Sequence, residues 1–123
     1  MDKIYLGKIG ESYSQKYLIQ NNYVVMSKNY YTRYGEIDII AIDLQSKQLV
    51  FVEVKTRRSY SFGRLEELLS KDKLRKLFTA INIFLMNNKI SGDISWRIDL
   101  IALKLSANNK VEKIKHIKNI KNG

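Results

Sequence analysis

The chain has 123 residues, 45% of them hydrophobic and 28% charged, and its 22 Lys and Arg against 12 Asp and Glu give a net charge of +10. This length and apolar fraction predict one folded domain over residues 1–123 and exclude a disordered tail. No apolar run approaches the roughly 18–20 residues of a transmembrane helix, and the first residues lack the pattern of a secretory signal. We therefore expect a cytoplasmic protein with no membrane partner.

The chain contains no cysteine and a single histidine, His116. This excludes disulfides, thiolate zinc sites and metal sites built from several histidines, so any metal ion must be held mainly by oxygen atoms. The excess of cationic side chains favours a polyanionic partner through counterion release. We expect nucleic acid, although acidic membranes attract the same charge.

Hydrophobic periodicity predicts the elements in chain order. They are a helix over about 3–21, strands at 23–27, 36–43 and 48–56, a helix over about 64–87, and a strand at 96–105. The second helix has a basic cluster near its middle, formed by Lys71, Lys73, Arg75 and Lys76. Residues 111–117 fit either a fifth strand or a helix. The order αβββαβ(β) predicts an α/β fold in which helices flank a mixed β-sheet, because hairpins favour antiparallel pairing and a helical crossover permits parallel pairing.

Two carboxylates are predicted to face each other across the second and third strands. If the hairpin loop is 44–47, Asp43 pairs with Gln48 and the same register places Asp38 opposite Glu53. Their Cβ atoms would then be roughly 4.5–5.5 Å apart. Side chains alternate along a strand, so Lys55 shares the face of Glu53. Facing carboxylates repel each other unless a cation lies between them, and their oxygen atoms suit Mg²⁺ or Mn²⁺.

Phosphodiester hydrolysis needs this combination of groups. A divalent ion polarises a phosphoryl oxygen and acidifies water, while Lys55 can orient that water or stabilise the developing charge. The alternative interpretation is that Glu53 and Lys55 form an ordinary exposed ion pair, with Asp38 solvated near a strand end. Short polar patterns of this kind also occur by chance.

The sequence also resembles the YraN-like family of uncharacterised bacterial proteins, which are predicted to be endonuclease-like. The resemblance rests on GEIDIIA at 35–41 and FVEVKTR at 51–57. It extends over nearly the whole chain through Gly7, Gly10, Glu11, Tyr17, Leu18, Asn29, Phe62, Gly63, Lys73, Arg97, Asp99, His116, Ile117 and Asn119. The sequence departs from the family at Ser14, a usual alanine position, and at Ile120, a usual small-residue position.

The resemblance implies a restriction-endonuclease-like PD-(D/E)xK fold, with a layout similar to that of archaeal Holliday-junction resolvases. By position, Glu11 is the helical carboxylate that joins Asp38 and Glu53 as a metal ligand, and Lys55 is the catalytic lysine. The implied function is metal-dependent hydrolysis of DNA, including branched or structured DNA. From its helix position alone, Glu11 is more often a solvated or capping carboxylate, and the resemblance is what favours a role in the site. For Glu36 we expect a role at an edge or turn.

A basic zone follows the third strand, and we expect its residues Arg57, Arg58, Arg64 and Lys73 to contact the phosphate backbone. The alternative is a solvated helix face. Two other functions stay open: a non-catalytic nucleic-acid-binding module on a nuclease fold, and a protein-interaction domain, for example a homodimer that pairs through a strand edge. We expect His116 to be an exposed polyanion contact or a structural residue.

Overall fold

The structure, a computed structural model, describes residues 3–58 and 68–120. These residues form the elements α1 (Lys3–Gln20), β1 (Tyr23–Thr32), β2 (Gly35–Asp43), β3 (Gln48–Arg57), α2 (Lys71–Asn87), β4 (Trp96–Leu105) and β5 (Val111–Ile117). The predicted α/β fold and its αβββαβ order are confirmed, and residues 111–117 form a strand. Neither α1 nor α2 is long and apolar enough to cross a membrane.

The strands form one mixed sheet in the order β1-β2-β3-β4-β5. The first three make an antiparallel meander, β4 runs parallel to β3 after the crossover through α2, and β5 is antiparallel to β4. This arrangement follows from the connections, because short turns join antiparallel neighbours and a helix is needed to return a chain in parallel. β1 and β5 are the edges at which a homodimer would pair, and the homodimer stays a prediction.

Among the described residues, α1 packs on one face of the sheet and α2 on the other, each over a hydrophobic core. The core on the α1 face includes Leu18, Ile39, Val50, Val52 and Ile101. The core on the α2 face includes Ile40, Phe51, Leu77, Ile81, Ile98 and Leu100. Successive residues of β3, of β4 and of the part of β2 at 39–41 enter opposite cores because strand side chains alternate, which explains why these strands are apolar along most of their length.

Helix α1 approaches β3 closely at Gly10. A Cβ atom at this position would lie 1.8 Å from Oγ1 and 3.0 Å from Cβ of Thr56, whereas one at Gly7 would meet nothing within 4 Å. The close contact therefore requires glycine at residue 10 and not at residue 7. It also sets how near the next residue, Glu11, comes to the sheet.

Strand β1 is longer than predicted. It continues to Thr32 instead of ending near residue 27. A register shift between Val25 and Ser27 and a positive φ of 53° at Asn29 interrupt its alternation, so the pattern of a long strand is absent from the sequence.

Helix α2 starts later than the predicted helix over 64–87. Its first residue is Lys71, because the Ser70 hydroxyl caps the helix by accepting a hydrogen bond from the N–H of Lys73 at 3.1 Å. The basic cluster consequently occupies the first turns of α2 and not the middle of a longer helix. Residues 64–67 of the prediction lie outside the described residues.

Candidate functional site

The hairpin between β2 and β3 has the register that the sequence predicts. The ladder begins with Asp43 opposite Gln48 and includes five residue pairs. One step beyond its last pair, the same register places Asp38 opposite Glu53. There the Asp38 side chain accepts a hydrogen bond at Oδ2 from the backbone N–H of Val54, at 2.8 Å. The two strands therefore stay connected through a carboxylate at the point where their regular pairing ends.

Both carboxylates are buried, with 5% of Asp38 and 2% of Glu53 exposed. Oε1 of Glu53 lies 3.7 Å from Nζ of Lys55 and 3.6 Å from Nζ of Lys73. Oε2 of Glu53 is buried and has no hydrogen-bond partner in the described part of the chain. A buried oxygen without a donor is costly, so Glu53 is not a member of an ordinary exposed ion pair.

Burial and mutual repulsion make these two carboxylates hard to ionise together. Burial and then the charge of Asp38 raise the pKa of Glu53 to about 7, although Lys73 and Lys55 oppose the shift. Burial also raises the pKa of Asp38, against the hydrogen bond from Val54. The site therefore holds more negative charge than its neighbours neutralise, a situation that a bound cation relieves.

Glu11 lies within electrostatic range of this pair. Burial, followed by the charges of Asp38 and Glu36, raises the pKa of Glu11 to about 7, while a hydrogen bond with the Asn29 side chain opposes the shift. Glu36 also raises the pKa of Asp38 and of Glu53, so it contributes to the site and not only to an edge or turn. The sequence feature that indicates this role of Glu36 is its spacing from Asp38, because side chains two residues apart in a strand lie on the same face of the sheet.

The donor atoms fit a magnesium-type ion. Residues 3–58 and 68–120 contain no group of three or more His, Asp or Glu side chains close enough to hold a metal ion, so Glu11 does not join Asp38 and Glu53 in one ligand cluster. Mg²⁺ commonly binds only one or two carboxylates and keeps water and substrate phosphate as its other ligands. The unpartnered Oε2 of Glu53 is the oxygen left available for such an ion.

Two of the basic residues expected to contact phosphate lie near the site. Lys73, from the first turn of α2, contacts Glu53, and Arg57 is exposed at the end of β3 on the strand that carries Glu53 and Lys55. Arg64 lies outside the described residues. The role of Lys73 therefore includes holding the candidate catalytic carboxylate.

Arg58 is directed away from these carboxylates, toward the turn between β4 and β5. Its Nη1 donates a hydrogen bond to the carbonyl oxygen of Ser106 at 2.7 Å, and its Nη2 donates to Oδ1 of Asn109. The side chain thus connects the end of β3 to the β4–β5 turn.

A separate buried polar network lies on the α1 face of the sheet. Arg97 and Asp99 pair with each other, as their spacing allowed, with Nε 2.9 Å from Oδ1. Nη2 of Arg97 also donates to Oδ2 of Asp43 at 3.0 Å and to the Tyr23 hydroxyl at 2.9 Å. The network joins β1, β2 and β4 and is structural in character.

His116 belongs to this network, so its predicted exposure is wrong and its structural role is confirmed. Its side chain is 6% exposed; Nε2 lies 2.8 Å from Oδ2 of Asp99, and Nδ1 lies 3.0 Å from the Tyr17 hydroxyl. Burial acts to raise the pKa of Asp99, but hydrogen bonds from His116, Arg97 and the N–H of Asn119 outweigh it and hold this pKa below its usual value. No sequence pattern indicates the contact with Tyr17, which is 99 residues away.

Several known proteins are similar to this chain over most of its length. The sequence profile of the Uncharacterised protein family UPF0102 matches residues 10–103. A UPF0102 protein of Desulforamulus reducens is 39% identical over 114 residues, which cover 93% of each chain. A UPF0102 protein of Sulfurihydrogenibium sp. is 41% identical over 104 residues, or 85% of this chain and 88% of the relative. A UPF0102 protein of Clostridium botulinum (strain Loch Maree / Type A3) is 32% identical over 114 residues, or 93% and 91%.

The matched segment, 10–103, contains the four residues predicted to form the catalytic site: Glu11, Asp38, Glu53 and Lys55. It also includes β1, β2, β3 and most of β4. The resemblance to the YraN-like family is confirmed by this coverage and by the identities with the three relatives. The chain belongs to the uncharacterised protein family UPF0102.

Proposed function

We propose that the protein is a metal-dependent nuclease that hydrolyses phosphodiester bonds in DNA, with Mg²⁺ or Mn²⁺ held by Asp38 and Glu53. The observation that carries the proposal is the Glu53 carboxylate, which is buried beside two lysines and a second carboxylate with one oxygen unpartnered. Buried like charges destabilise a fold, so stability does not account for the arrangement. Perturbed carboxyl groups of this kind are typical of functional sites.

Each side chain of the site has a distinct task in this reaction. A bound divalent ion supplies polarisation of the phosphoryl group and a more acidic attacking water. The hydrogen bond from Val54 holds the Asp38 carboxylate in one orientation. Lys73 holds Oε1 of Glu53 from the α2 side. Lys55, whose side chain is 29% exposed, can donate to a phosphoryl oxygen as negative charge develops on it.

The substrate class follows from charge and from the family resemblance. A net charge of +10 favours a polyanion, and the likeness to junction-resolving enzymes makes branched DNA the first substrate to test. The family resemblance includes Glu11 among the catalytic residues, and its electrostatic interaction with Asp38 supports a role as a negative charge beside the metal ligands.

The test is a cleavage assay with flap, four-way-junction, single-stranded and duplex DNA in Mg²⁺ and in Mn²⁺. We expect the parent protein to cleave at least one substrate, and Asp38→Asn and Glu53→Gln to lower the rate by about 100-fold or more. The matched control is Asp72→Asn, because this carboxylate pairs with Arg75 and Lys76 on the exposed side of α2.

Cleavage that survives in the Asp38→Asn/Glu53→Gln double variant would contradict the proposal. Salt-dependent binding by the parent without cleavage of any substrate would instead indicate a non-catalytic nucleic-acid-binding module.

A further inference from the structure

A groove of about 500 Å³ lies between α1 and the turn that joins β4 to β5. Its polar lining consists of Lys8, Ser12, Tyr13, Lys16, Asn109 and Lys110. All the charged residues that line it are lysines, and none of its lining residues is an Asp or Glu. Charge of one sign in a concave surface concentrates the local potential, so this groove attracts anions more strongly than scattered surface lysines do.

One wall of the groove is a polar stripe on α1. Lys8, Ser12 and Lys16 are four residues apart and therefore lie on one side of the helix, where all three are exposed. Within ranges 3–58 and 68–120 neither lysine forms an ion pair, whereas Lys76 and Lys104 pair with acidic residues. The two α1 lysines are thus available to an anionic ligand.

The opposite wall is a turn held by its own hydrogen bonds. The N–H of Ser106 donates to the carbonyl oxygen of Lys110 at 2.8 Å, and the N–H of Asn109 donates back to the carbonyl oxygen of Ser106 at 3.0 Å. Arg58 adds hydrogen bonds to Ser106 and Asn109. A wall that is already ordered loses little conformational entropy when a ligand binds.

The groove and the candidate catalytic site lie at the same end of the sheet. Arg58, which supports the groove wall, is only three residues after Lys55. On α1, Glu11 points about 100° away from Ser12, the middle residue of the stripe, because each helical residue turns by about that angle. Helix α1 therefore lies between the groove and the candidate catalytic site. The groove lies on the α1 side of the sheet and Glu53 faces α2, so a chain-like ligand would pass the end of β3 to contact both.

We propose that this groove binds the sugar-phosphate backbone of a nucleic-acid strand outside the region that is cleaved, with phosphates on Lys8, Lys16 and Lys110. The identity of the ligand rests on the proposed function, but its binding requires neither metal nor turnover. Lys8 and Lys16 are about 12 Å apart along the helix axis. The two lysines are far enough apart to contact different phosphates of one strand.

Tyr13 gives the groove a preference for unpaired nucleotides. Its side chain lines the groove and the residue is 43% exposed, so its ring is accessible to a ligand. An aromatic ring in a basic groove stacks on bases of any sequence when they are not paired. An anionic membrane is the other polyanion that exposed lysines attract, so binding to phosphatidylglycerol vesicles is measured beside oligonucleotide binding.

The test measures binding of a fluorescein-labelled single-stranded oligonucleotide and of the matching duplex by fluorescence anisotropy. EDTA is present so that cleavage plays no part. The groove variant is Lys8→Gln/Lys16→Gln. Its matched control is Lys47→Gln/Lys89→Gln, which removes the same charge from two exposed positions, one in the β2–β3 turn and one after α2, at the other end of the sheet.

We expect the groove variant to bind at least about 10-fold more weakly than the parent. The slope of log affinity against log salt should fall by about 1.4 on the single strand, or about 0.7 for each phosphate that a lysine no longer neutralises. The control should keep most of the parent affinity. Tyr13→Leu should weaken single-strand binding by about 5-fold or more, and Tyr13→Phe should retain it, because stacking needs the ring and not the hydroxyl.

Equal losses in the groove variant and its control would overturn the proposal, because they would show that only total charge matters. Binding unchanged in the groove variant would overturn it too, even if the parent cleaves DNA. If the groove variant loses binding while the parent cleaves nothing, the groove is supported and the nuclease proposal fails. A loss confined to phosphatidylglycerol vesicles, with oligonucleotide binding unchanged, would assign the groove to a membrane and overturn the proposal.

Discussion

The backbone N–H of Val54 donates a 2.8 Å hydrogen bond to the Asp38 carboxylate one residue beyond the last β2–β3 pair. The Asp38 side chain thus accepts the hydrogen bond of a β3 backbone N–H just beyond the end of the regular β2–β3 pairing. This contact ties the position of an acidic side chain to the continuity of the sheet. It also explains how a carboxylate can be held beside Glu53 despite their repulsion.

Asp38→Asn separates these two roles. The amide oxygen can still accept from Val54, while the charge that repels Glu53 is removed, so we expect the free energy of unfolding without divalent ions to rise by about 1 kcal/mol. Asp38→Ala should instead lower it by about 1–3 kcal/mol, because the N–H of Val54 loses its acceptor. Urea unfolding in EDTA measures both. A loss of stability in Asp38→Asn equal to that in Asp38→Ala would mean that the negative charge itself stabilises the fold.

Stability without divalent ions should increase as the pH falls from about 8 to about 5. The pKa of Glu53 is raised from 4.5 to about 7 in the folded protein, so the folded state binds this proton more tightly than the unfolded chain. The increase ends near pH 4.5, where the unfolded chain is protonated as well. Urea unfolding at several pH values in EDTA checks this expectation.

Glu53→Gln should reduce that pH-dependent increase, and the remainder should come from Glu11, whose pKa is also about 7, and from Asp38, whose pKa burial raises. Asp72→Asn is the control, because Asp72 is exposed and the pKa of its carboxyl is lowered by its hydrogen bonds with Arg75 and Lys76. A profile that is the same in the parent and in Glu53→Gln would be inconsistent with a buried, repelled Glu53.

The Gly10 contact should be required for stability, while Gly7 should not. Gly10→Ala places a Cβ 1.8 Å from Oγ1 of Thr56, so α1 must shift, and we expect a loss of about 1–3 kcal/mol. Gly7→Ala meets nothing within 4 Å and should gain about 0.5–1 kcal/mol from helix propensity. Thermal and urea unfolding distinguish them, and Thr56→Ala should recover part of the loss in Gly10→Ala. A stable Gly10→Ala protein would show that α1 adjusts at little cost.

Ser14 is a position at which the protein can be stabilised. Its side chain is fully buried in α1, and its hydroxyl has no hydrogen-bond partner in the described part of the chain. Ser14→Ala, the residue that the family resemblance places there, should raise the free energy of unfolding by about 1–2 kcal/mol. Ser12→Ala, at an exposed position of the same helix, should raise it by only about 0.5 kcal/mol. Equal gains would indicate that the Ser14 hydroxyl is satisfied.

A metal titration should distinguish the role of Lys55 from that of the two carboxylates, Asp38 and Glu53. Isothermal titration with Mn²⁺ should show affinity weakened by about 10-fold or more in Asp38→Asn and Glu53→Gln, because each loses a charged oxygen ligand. Lys55→Ala should keep metal affinity yet lose most cleavage, since its role is to stabilise charge on the phosphate. Unchanged affinity in both carboxylate variants would rule out this metal site even if DNA still bound.

Local patterns were sufficient for most elements and for the central pair of the candidate site. α1 and β4 have the predicted limits to within one residue, because helical and alternating periodicity are properties of neighbouring residues. The β2–β3 register follows from the short turn and from alternation, since a slip of one residue would move every side chain to the wrong face. The amino-acid sequence by itself was therefore enough to place Asp38, Glu53 and Lys55 together.

The remaining features depend on contacts between residues that are distant in the sequence. Lys73 reaches Glu53 only because the crossover lays α2 on that face of the sheet. The start of α2 is a local exception, because it is set by the Ser70 cap, a signal that hydrophobic periodicity does not contain. His116 is buried against Tyr17 by the pairing of β5 with β4. Burial, hydrogen-bond satisfaction and the resulting pKa shifts arise from packing, and so the tertiary structure alone decides which charged side chains converge.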